Sequence, residues 1–82
     1  MVSANSYVIR EAGAADVSAV ARLAELDGQP PLAGRVLIGE IDGIPAAAVS
    51  LDDGRIVADP CQSTDRLAPL LCMSCRSMQR AA

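Results

Sequence analysis

The sequence predicts an α+β domain: a mostly antiparallel four-stranded sheet with two helices, in the order β-α-β-β-β-α. Three observations predict it. The words Asp42-Gly43 and Asp52-Asp53-Gly54 divide residues 35–59 into three β-rich runs joined by tight turns. A helical apolar stripe precedes this meander, and a second follows it. The chain has 82 residues, which is room for a single domain spanning 1–82.

Residues 1–6 and 79–82 are small or polar and are expected to fray. Tyr7-Val-Ile-Arg10 is short and β-rich, a first strand. Gly13 to Leu26 reads as a helix, with Val17, Val20, Ala21 and Ala24 at i, i+3, i+4 and i+7 and Leu23 widening the stripe. Gly13 serves as N-cap, and Asp16 three positions on is placed to accept from the free N–H of the cap. Gly28 supplies the left-handed stop, and Pro30 and Pro31 forbid a continuation. Arg35–Ile41 is a second strand, and Ile44–Leu51 a third with Pro45 near its start, where a missing donor does least harm. Arg55–Asp59 is a fourth. Ser63 or Thr64 caps a final helix whose stripe is Leu67, Leu70, Leu71, Ser74 and Met78, with Pro69 delaying or bending its start. Both helices are expected on one face of the sheet, leaving the other face and the edge of the fourth strand open.

Composition narrows the function classes. Apolar residues make up 51% of the chain, but Tyr7 is its only aromatic, so the core is built from Val, Ile, Leu and Ala. A domain this small buries only roughly 60% of its unfolded surface, and self-association is a natural supplement. The net charge is −3, and all seven basic residues are Arg scattered singly. No basic stripe exists, which argues against nucleic-acid binding. There is no His, the commonest general base and metal ligand. The opening residues carry neither the basic segment nor the apolar run of a signal peptide, and the apolar stretches fall far short of the ~20 residues of a membrane span. A cytoplasmic protein with reduced thiols is expected, since three Cys make no disulfide framework.

The order strand, helix, Pro-rich loop, meander, helix resembles the N-terminal half of the GNAT superfamily of N-acetyltransferases over residues 7 to about 72. Ile9-Arg-Glu-Ala-Gly-Ala-Ala-Asp16 is similar to the family's opening strand end and capped helix. Val36-Leu-Ile-Gly-Glu-Ile-Asp-Gly-Ile-Pro-Ala-Ala-Ala-Val49 is similar to its second and third strands. The resemblance implies a truncated domain of that superfamily. It also implies that the fourth strand leads into a glycine-rich loop opening a helix, where backbone N–H groups hold the pyrophosphate of acetyl-CoA. Here the frame is Ile56-Val-Ala-Asp-Pro60 running into Leu67, Leu70 and Leu71, but Thr64 and Arg66 stand in place of the glycines, Ala68 alone matches a permitted small residue, and Asp65 adds negative charge. The tyrosine that in the family protonates the leaving thiolate has no counterpart, since Tyr7 lies in the first strand. No catalytic, cofactor or metal residue is therefore assigned.

Several residues carry a sharper and a plainer reading. Cys72 and Cys75 form a Cys-x-x-Cys spacing, with Cys61 as a third thiol. A zinc site wants four ligands, and a redox pair wants a helix N-terminus, so ordinary helical cysteines are expected. Asp52-Asp53-Gly54 lacks the spacing of a calcium loop and reads as a turn. Ser63-Thr64-Asp65 is a cap before it is a phosphate cradle. Glu40 could act as a base on a central strand, but alternation opposite Ile41 makes it solvent-facing. Three functions follow: a non-catalytic interaction or structural domain derived from an N-acetyltransferase-like fold, an acyl-CoA binder completing its site by dimerisation, or a thiol redox or metal protein using Cys61, Cys72 and Cys75. A homodimer through an exposed sheet edge or face is expected in the first.

Overall fold

The computed structural model describes residues 6–81, and the expectation that residues 1–6 fray lies outside it for residues 1–5. Strand β1 spans Tyr7–Glu11, β2 Val36–Ile41, β3 Ile44–Ser50 and β4 Ile56–Ala58. Helix α1 spans Val17–Leu26, preceded by a 3-10 turn at Ala14–Asp16, and α2 spans Leu67–Ala81. The fold is α+β, and the four strands lie in sequence order with every pair antiparallel.

Local chemistry accounts for the turns. Asp42 and Gly43 have φ of 53° and 82°, so both hairpin positions take the left-handed conformation that joins β2 to β3 in two residues. Gly13 donates its N–H to Asp16 Oδ2 at 2.8 Å, the expected cap contact. At the other end of α1, Gly28 N donates to Glu25 O at 3.0 Å and Gln29 N to Ala24 O at 2.9 Å, the paired closure of a helix that stops in a left-handed glycine. In α2, Ala68 N donates to Thr64 O at 2.9 Å. The next residue, Pro69, has no N–H to offer, and the regular helix begins only at Leu67. The helix then runs to Ala81, beyond the Met78 end expected from the stripe.

The helices cover opposite faces, which corrects the expectation of one shared face. Val20, Leu23 and Ala24 of α1 pack with Val36, Ile38, Ala48 and Val57. Leu67, Leu71 and Cys75 of α2 pack with Leu37, Ile41, Ala46, Ala47 and Val49. The cause lies in β2 and β3, whose apolar residues run consecutively rather than alternately and so make both faces of the sheet apolar. The α2 stripe shifts accordingly. Cys75 occupies the core position expected of Ser74, while Leu70 stands 41% exposed. In α1, Val17 and Ala21 of the expected stripe lie at the surface, where they line a cleft with Pro31 and Leu32.

A register shift between Gly39 and Glu40 bulges β3, so that Glu40 pairs with Pro45 and Ala46 becomes the extra residue. Ala46 and Ala47 are then both buried in the α2 layer. Gly39 completes this small-residue seat for the helix. A Cβ there would stand 2.9 Å from both Cδ atoms of Leu67, a side chain with no exposed surface and no room to turn. Gly39→Ala is therefore expected to destabilise the protein by ~1–3 kcal/mol in chemical denaturation. Combined with Leu67→Ala, it is expected to cost less than the sum of the two single changes.

Candidate functional site

Three places hold chemistry-bearing residues: an ionic cluster between β1, α1 and β2, the connection from β4 to α2, and the two sheet edges. In the first, Arg10 donates from both terminal nitrogens to Asp16, at 2.8 Å each, and from Nη2 to Glu40 Oε2 at 3.2 Å. The side chains of Asp16 and Glu40 are 16% exposed. Glu40 is thus neither solvent-facing, as expected, nor free to act as a base, because the diagonal across β1 and β2 sets it against a fixed cation. The Arg10 bonds and the Gly13 N–H hold the Asp16 carboxyl well below its ordinary value of 3.8. The cluster joins the end of β1 to the start of α1 and to β2, a positioning role.

The β4–α2 connection bears on the acetyl-CoA cradle that the resemblance implies. Asp59 Oδ1 accepts the N–H of Cys61 at 2.8 Å, Asp59 O accepts that of Gln62 at 3.1 Å, and Thr64 O accepts that of Ala68 at 2.9 Å. The N–H groups of Cys61, Gln62 and Ala68 are therefore used by the loop itself. Thr64 and Arg66 carry side chains where a pyrophosphate needs bare backbone, and Asp59 and Asp65 flank the turn with negative charge. These residues do not fit the diphosphate. The Thr64 carbonyl accepts from Ala68 ahead of the helix, which begins at Leu67.

The three cysteines lie in different environments. Cys61 and Cys72 are exposed, while Cys75 is buried with its thiol directed at Ser50 O, 3.6 Å away. Cys72 and Cys75, three residues apart on α2, thus differ in environment, one at the surface and one in the core. Among the described residues no group of three or more His, Cys, Asp or Glu is placed to hold a metal ion. Asp52-Asp53-Gly54 forms a turn, closed by Gly54 N to Ser50 O at 2.9 Å. A cleft of about 180 Å³ between α1 and the following loop is lined by Val17, Val20, Leu32 and Val36, with no titratable side chain in its wall. Among the described residues no helix is long and apolar enough to cross a membrane.

The sheet edges differ in a way the sequence does not announce. Ser50 N donates to Arg55 O at 2.9 Å and Asp59 N to Ala46 O at 2.8 Å. Antiparallel alternation therefore turns the backbone of Ile56 and Ala58 outward from β4. Asp27 Oδ2 accepts the Ala58 N–H at 3.2 Å, and Gln29 Nε2 donates to Ile56 O at 3.2 Å. Arg55 fixes the covering segment by donating to Gln29 Oε1 at 3.1 Å, Pro30 O at 2.9 Å and Pro31 O at 3.1 Å. The expected open edge at Arg55–Asp59 is thus occupied by residues 27–31.

On β1 the alternation is set by Asp42 N to Ser6 O and Ala12 N to Val36 O, each 2.8 Å. It turns the N–H and C=O of Tyr7, Ile9 and Glu11 outward. None of these groups has a hydrogen-bond partner among the described residues. Glu11 uses its side chain, which accepts from Arg35 Nε at 2.9 Å and Nη2 at 3.0 Å. No family model matches the chain, and no curated protein or solved structure matches it at a significant level.

Two outcomes follow. Asp16 has its folded pKa lowered, so its contribution to stability is full above the ordinary value of 3.8 and lost as pH falls below it. Asp16→Asn is expected to melt below the wild type at pH 7, with the gap closing in melts taken at pH 3 and lower. Asp27→Ala uncovers the Ala58 N–H and is expected to speed its hydrogen exchange severalfold while amides in the middle of β2 are unchanged.

Proposed function

We propose that the chain is a non-catalytic interaction domain on a scaffold akin to the first half of an N-acetyltransferase. Strand order, the capped helix after β1, the Asp42-Gly43 hairpin and a helix following β4 support the likeness in architecture. The observation that carries the non-catalytic reading is the Asp59–Ala68 connection, whose own acceptors take the N–H groups of Cys61, Gln62 and Ala68. An acyl-CoA diphosphate would have to approach the carboxylates of Asp59 and Asp65, past the side chains of Thr64 and Arg66. The remaining candidate chemistry is also committed elsewhere: Glu40 is paired with Arg10, and Cys75 lies in the core. A cytoplasmic setting accompanies this reading, favoured by three free thiols.

Calorimetric titration with acetyl-CoA tests it. No saturable binding is expected up to ~1 mM ligand, and a Kd in the micromolar range would restore the acyl-CoA reading.

A further inference from the structure

We infer that the outer edge of β1 pairs antiparallel with the β1 of a second copy, about a two-fold axis at Ile9, joining two four-stranded sheets into one of eight strands. The inference deepens the interaction reading above and rests on it. The fold leaves its two edges unequal. On β4, Asp27 and Gln29 take the Ala58 N–H and the Ile56 carbonyl, and Arg55 pins the segment that carries them. On β1, a longer strand, the N–H and C=O of Tyr7, Ile9 and Glu11 all point away from β2. A comb of unpaired groups on a regular strand is a template for another strand.

The occupant is set by self-complementarity. With Ile9 opposite Ile9 of the other copy, the two Ile9 residues exchange both of their backbone bonds. Tyr7 faces Glu11 of the other copy, and each such pair exchanges two more. Every outward group of β1 is then used, and none is left over at either end of the strand. The side chains agree with this register. Val8 stands across from the other copy's Arg10, so no two like charges are opposed along the ladder. Val8 is 42% exposed in the single chain, an unusual position for a β-branched side chain in the middle of a strand. On the other sheet face, Ile9 and Leu37 line a groove with Ser74, Ser77 and Met78 of α2. The second copy's Ile9 would enter beside this groove and extend the core. The contact is isologous, and with the β4 edges covered the assembly closes at two copies instead of growing into a fibre.

The test combines sedimentation with residue-resolved hydrogen exchange on the full chain. A dimer is expected at tens to hundreds of micromolar, with the amides of Tyr7, Ile9 and Glu11 protected there and losing at least tenfold in protection on dilution to monomer. Val8→Arg sets two Arg side chains against each other across each copy's strand while placing a cation opposite Glu40 within its own sheet. It is expected to keep the wild-type circular dichroism and melting temperature at low concentration and to weaken the dimer at least tenfold. Gln62→Ala, on the far side of the sheet, is the control and should leave the dimer intact. A dimer whose Tyr7, Ile9 and Glu11 amides exchange freely would overturn this pairing but leave an interaction domain standing. A monomer at several hundred micromolar would overturn the inference without touching the acetyl-CoA result, which decides the non-catalytic reading separately.

Discussion

The middle of the sheet is apolar on both faces, and most of the architecture depends on that. Val36, Leu37 and Ile38 are buried in succession, as are Ala46 through Val49. Residues pointing in opposite directions from one strand cannot share a single cover, so a helix is needed on each side. Helix α1 covers Ile38, Ala48 and Val57, and α2 covers Leu37, Ala47 and Val49. Gly39 has no side chain, so Leu67 of α2 packs directly against the backbone of β2. The β3 bulge serves the same packing by turning two consecutive alanines toward α2.

Around this layered core, the polar contacts act as ties of long sequence reach. Arg10 links β1 to the turn before α1 and to β2. Asp27, Gln29 and Arg55 link the exit of α1 to β4. Helix α1 is therefore anchored at both ends by side-chain bonds, with only part of one face buried between them. These ties also remove functional possibilities. A carboxylate held by an arginine is not a free base, and an edge strand covered by a loop is not a docking strand. What survives is β1, the one strand among the described elements whose outward backbone is unclaimed.

Much of the fold is legible in the sequence because its signals are local. A turn whose two residues both accept positive φ needs no distant partner to specify it, and Asp42-Gly43 forms as such. The Gly13–Asp16 cap and the Gly28 stop are likewise local. Pro69 delays its helix because it lacks its own N–H. The misplaced features involve choices among faces. The α2 stripe could be drawn through Leu70 and Ser74 or through Leu71 and Cys75, and only the position of the sheet chooses the second. Glu40 alternates with Ile41 as the strand period requires, but the cation that claims it lies on another strand, thirty residues away. The departure of the Asp59–Ala68 loop from a phosphate cradle was visible as missing glycines. Its use of its own donors was not.

The sequence by itself determined the element order, the hairpin turn and the ends of α1, because each follows from residue identity or from neighbours within a few positions. Only the tertiary structure decided which helix covers which face, that Cys75 is core while Cys72 is surface, and that β4 is covered while β1 is not. The physical reason is that these outcomes turn on contacts between residues far apart in the chain. The bond from Asp27 to Ala58 spans 31 residues, and no local pattern in either segment encodes the other.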